Sequence, residues 1–241
     1  MKQTLFITII IGSLLIPTSS AFGFLGFGIY GGSDQINLSE TISQKTDGEI
    51  ISEVTQYPFD QSGSFGGYLY LDILPVVDLE VEYQLTFGMY DYHFRVFEDV
   101  TNNEISNTGK QEFIWGKGSA YFTVRKKMFG AGIPILGGVK FHTGGGLNVH
   151  NSIPIMDIKM LEDLRGEAEL YDEFNETTMG DMIADYMKEN MKTTTGFHVQ
   201  AGAQVSFLVF DVFLNYRYTL AEIFPGKPGY SSLNLMLGLG F

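Results

Sequence analysis

Few residues in this chain could carry chemistry. Cysteine is absent, so disulfides, zinc–thiolate sites, iron–sulfur clusters, cysteine nucleophiles and cysteine-linked lipid anchors are excluded. The bases that titrate near neutrality are His93, His142, His150 and His198. His150 and Ser152 stand one residue apart, a spacing that base and nucleophile could share. Strand parity, however, turns Val149 outward and His150 inward, and a long insertion follows before the next strand. Gly144-Gly145-Gly146 is followed by no Lys-Ser or Lys-Thr and sits within a strand pattern, so it reads as a bend or close packing and not as a phosphate loop. No EF-hand or other metal-ligand spacing occurs. The sequence therefore predicts no enzyme, no metal and no cofactor.

The remaining polar residues of interest interrupt apolar alternation. Val77, Leu79, Val81, Tyr83, Leu85 and Phe87 alternate with Asp78, Glu80, Glu82, Gln84 and Thr86, a period of two that no helix tolerates. The strand can run on through Arg95 to Phe97. Arg125, the pair Lys140 and His142, and the pair Asp211 and Arg217 occupy the polar parity of other alternating segments. Turned inward, Glu80, Glu82, Arg95, Arg125, Lys140, His142, Asp211 and Arg217 would form a paired polar network. A soluble β-sandwich or lipocalin-like barrel would place the opposite parity inside, and alternation alone does not choose.

The elements that would position these residues are eight strands. They span about residues 22–30, 65–74, 77–87, 113–125, 135–149, 197–205, 210–219 and 233–241. Connections after the first, third, fifth and seventh are long, and those after the second, fourth and sixth are short. The segment from Glu49 to Thr55 in the first long connection reads as a strand extension. The Gly-rich first and last strands should leave some space inside. Before these strands come Lys2, an uncharged apolar run from Leu5 to Ile16, Pro17, and small residues up to Ala21. This is the pattern of a secretory signal peptide cleaved after residue 21, and the run is too short to span a bilayer. Residues 22–241 then form one barrel domain. The formal charge of −13 opposes nucleic-acid binding, which needs a basic face.

The chain ends Asn234-Leu235-Met236-Leu237-Gly238-Leu239-Gly240-Phe241, alternating apolar residues closed by an aromatic. This resembles the C-terminal signal strand by which the outer-membrane assembly machinery recognises barrels, with Phe241 as its key residue. Together with the secretory segment, the strand rhythm and the loop asymmetry, it makes the whole mature chain similar to small bacterial outer-membrane β-barrels of the OmpW-, OmpX- and OmpA-barrel kind. The resemblance implies an all-β fold, an eight-stranded antiparallel transmembrane up-and-down barrel with a helical extracellular loop. It also implies residence in the outer membrane as a monomer, in contact with lipid and lipopolysaccharide. Tyr216, Tyr218 and Tyr230 would fit an interfacial aromatic girdle. The His-x-Ser pair of lipid A deacylases, another barrel family, is echoed by His150 and Ser152, but the inward parity departs from that pattern.

The insertion from about 151 to 195 is the helical loop. Its residues 157–192 hold eleven acids and four bases. Met179, Met182, Ile183, Tyr186, Met187 and Met191 form one apolar stripe at helical spacing. Two short helices with a break around 175–177 fit. Eight strands enclose little more than side chains, so a bulk porin is excluded. Two functions remain. One is a structural or surface-interaction barrel with a narrow polar lumen. The alternative is an OmpW-like conduit or receptor for small apolar molecules, gated by the Met-rich loop.

Overall fold

In the computed structural model, residues 25–72, 77–98, 101, 103–133, 137–168 and 176–240 are described. Ten strands and two helices follow in order: β1 (Leu25–Leu38), β2 (Thr41–Asp47), β3 (Ile50–Gln56), β4 (Phe59–Leu71), β5 (Asp78–Glu98), β6 (Glu104–Ile133), β7 (Gly137–Ser152), α1 (Ile158–Ala168), α2 (Glu176–Glu189), β8 (Lys192–Phe207), β9 (Phe210–Leu220) and β10 (Tyr230–Gly240). Eight of the strands close a ring, β1-β4-β5-β6-β7-β8-β9-β10, with β10 back on β1 and every neighbour antiparallel. Closure removes the sheet edges that an open sheet would expose. Following the register once round the ring from Ile133 leads to Phe122 on the same strand. A stagger of about ten residues fits a tilted eight-stranded barrel.

The two strands outside the ring correct the expected strand extension over Glu49–Thr55. That segment pairs as its own hairpin, β2 with β3, and β3 then pairs with Tyr92–Glu98 of β5. The upper parts of β5 and β6 (residues 92–98 and 104–112) rise with it as a four-stranded blade. The polar stretch after Glu98 is therefore mostly strand, because β6 begins at Glu104. β6 also continues to Ile133, across most of the short connection expected between residues 125 and 135. The short connections lie at one end of the ring, such as Leu208-Val209 between β8 and β9. The blade, both helices and the 221–229 segment lie at the other. The secretory segment and Phe241 lie outside the described residues.

The two faces of the ring differ sharply. Ile29, Tyr83, Phe122, Leu214 and Leu235 are among many exposed apolar outward residues, while Glu80, Gln84, Arg125, Asn215 and Arg217 are buried inside. This inverts the pattern of a soluble barrel. Among the described residues no helix is long and apolar enough to cross a membrane. The first and last strands do not leave space as expected. Their glycines receive aromatic rings from neighbouring strands: Tyr70 lies against Gly26 and Tyr68 against Gly238. At Gly66 an added Cβ would meet the Tyr83 carbonyl oxygen at 2.2 Å and the Tyr30 ring at 2.8 Å.

Candidate functional site: a salt-bridged lumen beneath an apolar cap

The inward side chains of the ring strands are largely buried. In the middle of the ring Arg125 Nη1 donates to Glu80 Oε2 at 2.9 Å, and Gln200 Nε2 donates to Glu80 Oε1 at 2.7 Å. Arg217 pairs with Glu82. It also donates from Nε and Nη2 to Gln200 Oε1, at 3.1 and 2.9 Å. Its guanidinium carbon lies 4.0 Å from the Tyr121 ring centroid. Guanidinium planes suit this arrangement because they satisfy two acceptors and stack on an aromatic at once.

Toward the short-turn end, Asp211 has no cationic partner among the described residues. It accepts instead from the Tyr70 hydroxyl at 2.5 Å, from Gln204 Nε2 at 2.9 Å and from Ser206. Lys140 Nζ lies 3.0 Å from Asp72, and His142 Nε2 lies 3.0 Å from Asn215 Oδ1. Tyr68, Tyr70 and Phe213 pack together across this layer, with Phe213 meeting each tyrosine edge-on. Toward the cap, Lys117 Nζ donates to Asp34 at 2.7 Å and to the Tyr230 hydroxyl at 2.5 Å.

Seven of the eight predicted network residues thus meet in the lumen. Arg95 does not. It stands on the blade, where its Nε donates to Glu53 Oε1 at 2.9 Å, and Gln44 Nε2 donates to the same carboxylate at 2.5 Å. The bulge in β5–β6 between His93 and Arg95 and the upward run of the strand carry it clear of the ring. Burial alone would raise the Glu53 carboxyl, but the hydrogen bonds from Arg95 and Gln44 outweigh it and hold that carboxyl below the ordinary carboxylate range. Tyr230 is a second correction. It is a lumen residue bonded to Lys117, not part of an outer girdle, whereas Tyr216 and Tyr218 are exposed outside. The Asp34–Lys117 pair and the inward tyrosines were not singled out from the sequence. The parity of Tyr121, Thr123 and Arg125 extends back to Lys117 and would have found it.

His150 and Ser152 make no catalytic pair. His150 Nδ1 lies 2.8 Å from Ser119 Oγ and Nε2 lies 2.9 Å from Asn148 Oδ1, so both ring nitrogens are engaged. His198 Nε2 lies 2.9 Å from Thr123 Oγ1. No group of metal-ligating side chains forms among the described residues. Gln84, Asn234, Ser62, Ser64 and Ser232 keep buried polar atoms without a protein partner along the β10–β1–β4–β5 wall. Groups of this kind are served by internal water.

Above the charged layers the barrel closes with apolar side chains. Phe59, Trp115 and Phe224 form an aromatic cluster, with ring centroids 5.7 Å apart for Phe59–Trp115 and 4.9 Å for Trp115–Phe224. Met156, Met160, Val54, Tyr90 and Tyr186 complete it. Ile153 N donates to the Gly116 carbonyl at 3.1 Å, and three side-chain hydrogen bonds further dock the chain leading into α1. Trp115 Nε1 donates to the Ile153 carbonyl at 3.1 Å, Met156 N to the Tyr90 hydroxyl at 2.7 Å, and Ile158 N to Ser43 Oγ at 3.2 Å. Asp157 Oδ1 caps the helix by accepting from Met160 N at 2.8 Å. Of the predicted stripe, Met182 and Tyr186 are buried, Ile183 and Met187 pack against the cluster, and Met191 is exposed. Met179 lies in α2, with its side chain outside the described residues. That helix begins at Glu176, within the expected break.

No family model matches the sequence, and no curated protein matches it. Solved structures do. The N-terminal β-barrel domain of Pseudomonas aeruginosa OprF aligns at TM-score 0.40 and 12% identity, covering 90% of this chain and 99% of that one. OprG from Pseudomonas aeruginosa aligns at TM-score 0.42 and 9% identity, covering 91% and 94%. Ail, the attachment invasion locus protein of Yersinia pestis, solved with the heparin analogue sucrose octasulfate, aligns at TM-score 0.32 and 12% identity, covering 90% and 97%. The chain is similar to these outer-membrane barrels over about nine-tenths of its length, and its own strand pairing defines its fold.

Proposed function

We propose that this protein is an integral outer-membrane barrel without catalytic activity. It conducts no bulk solute, and it acts through the capped end outside the cell. The observation that carries this reading is the closed lumen: the buried contacts Arg217–Glu82, between β9 and β5, and Gln200–Glu80, between β8 and β5, cross it, Arg125 pairs with Glu80 along the wall, and the Phe59–Trp115–Phe224 cluster covers it. The apolar outward face supports the membrane setting, since a closed barrel satisfies its backbone internally within lipid. In that setting its partners are lipid, lipopolysaccharide and the barrel assembly machinery. The conduit alternative needs a continuous apolar path, and the layers below the cap are charged. The test is single-channel recording in planar bilayers on protein whose folded state is verified by its heat-dependent gel mobility. Expected is the absence of stable conductance steps. Reproducible steps in the nanosiemens range would refute a closed lumen.

A further inference from the structure

Beside the cap lies a cleft of about 500 Å³, between the chain entering α1, the β2–β3 hairpin and the 221–225 segment. That volume falls within the roughly 300–1,000 Å³ of small-molecule sites. Its wall is apolar where it meets the cap: Leu38, Ile153, Ile155, Met156 and Ile223 line it. Polar side chains stand at the rim, and their charges are not equivalent. Asp157 is engaged as the cap of α1, and Lys159 pairs with Asp163 at 2.5 Å. Lys192, the other cation lining the cleft, donates to the Glu222 backbone carbonyl at 3.2 Å and meets no carboxylate among the described residues. Lys126, Lys127, Lys188 and Lys227 likewise show no ion pair among the described residues, but of these unpaired lysines Lys192 is the one that lines the cleft.

We propose that this cleft binds a single-chain amphiphile with an anionic head, of the fatty-acid class. The alkyl chain lies along Leu38, Ile155 and Ile223, and the carboxylate faces Lys192. The apolar wall supplies affinity through area removed from water, and Lys192 supplies selection for charge. The acidic loop repels anions at long range, but that field is screened beyond about 8 Å at physiological salt. The site gives the capped end a ligand, so the inference rests on the reading that this end is the working part of the protein.

The experiment uses the full chain in nanodiscs of zwitterionic lipid, with radiolabelled decanoate as probe and empty nanodiscs subtracted. Decanol, which has the same tail without the charge, is the comparison. Two variants sit at the rim: Lys192→Gln removes the cation, and Thr41→Phe fills the cleft from an exposed position. Expected is saturable binding of one decanoate per chain, weakened about fivefold in Lys192→Gln, the upper range for an exposed charge pair. Binding is lost in Thr41→Phe, and decanol binds more weakly than decanoate. The proposal is overturned by no binding above empty nanodiscs, by equal affinity for decanol, or by Lys192→Gln binding as the parent does. Gel mobility and conductance are recorded on the same samples. A folded, non-conducting protein that ignores decanoate refutes the cleft alone, whereas conductance steps refute the closed lumen whatever the cleft binds.

Discussion

Replacing Arg217 by methionine tests whether the lumen is a packed interior or a wet passage. The side chain is fully buried, pairs with Glu82, makes two hydrogen bonds to Gln200 and stacks on Tyr121. Methionine fills much of the volume and keeps some ring contact but leaves Glu82 without its cation, close to Glu80. Removing one partner of a buried pair costs about 3–5 kcal/mol, because the remaining charge stays desolvated. With a urea slope of about 2 kcal/mol/M for a domain of this kind, the unfolding midpoint falls by roughly 2 M. The double variant Arg217→Met/Glu82→Leu removes the stranded charge as well and recovers most of the loss, since an apolar replacement of a buried pair is often near neutral. The assay is urea unfolding in lipid vesicles, followed by the emission of Trp115, the single tryptophan, and by gel mobility. If Arg217→Met costs less than about 1 kcal/mol, the range of solvated pairs, the lumen is open to water and the closed-barrel argument fails. A double variant no better than the single would refute the stranded-charge mechanism.

Two further outcomes follow from local geometry. The Glu53 carboxyl is held below its ordinary range by Arg95 and Gln44, so the stabilisation it gives the β2–β3 hairpin is complete above its unfolded pKa, about 4.5, and is lost as pH falls through the lower folded value. Amide exchange in Ile50–Gln56, corrected for intrinsic rates, should therefore gain relative to a barrel strand on acidification below about pH 4.5 in the parent and not in Glu53→Gln; equal acid sensitivity in both would assign the effect elsewhere. Gly66→Ala should lower stability by about 1–3 kcal/mol, because its Cβ would press on the Tyr83 carbonyl, which cannot move without breaking the β4–β5 register. An unchanged urea midpoint in that variant would show that the wall relaxes.

The number of strands in the ring, the inward parity of Glu80, Glu82, Arg125, Asp211 and Arg217, and the helical nature of the 151–195 insertion were legible in the sequence, whereas the β2–β3 hairpin outside the ring was not. Each of the legible features is a local periodicity, and side-chain direction follows directly from it. Which cation meets which acid was not legible. Arg217 and Glu82 lie on β9 and β5, and only ring closure with its stagger brings those strands face to face across the lumen. Arg95 shows the same limit from the other side. It lies beyond Met89, where the apolar positions change from odd to even numbers, on the upper part of β5 that pairs with β3 above the ring. The cap is a tertiary product as well. Phe59, Trp115, Phe224 and Met156 come from four separate segments, and no spacing within any one of them announces that they meet. The sequence alone determined the strands of the ring and the polarity of their faces, because these depend on neighbours along the chain. The pairing of buried charges, the tyrosines seated on glycines and the sealed mouth were decided by closure of the barrel, because they depend on contacts between residues far apart in sequence.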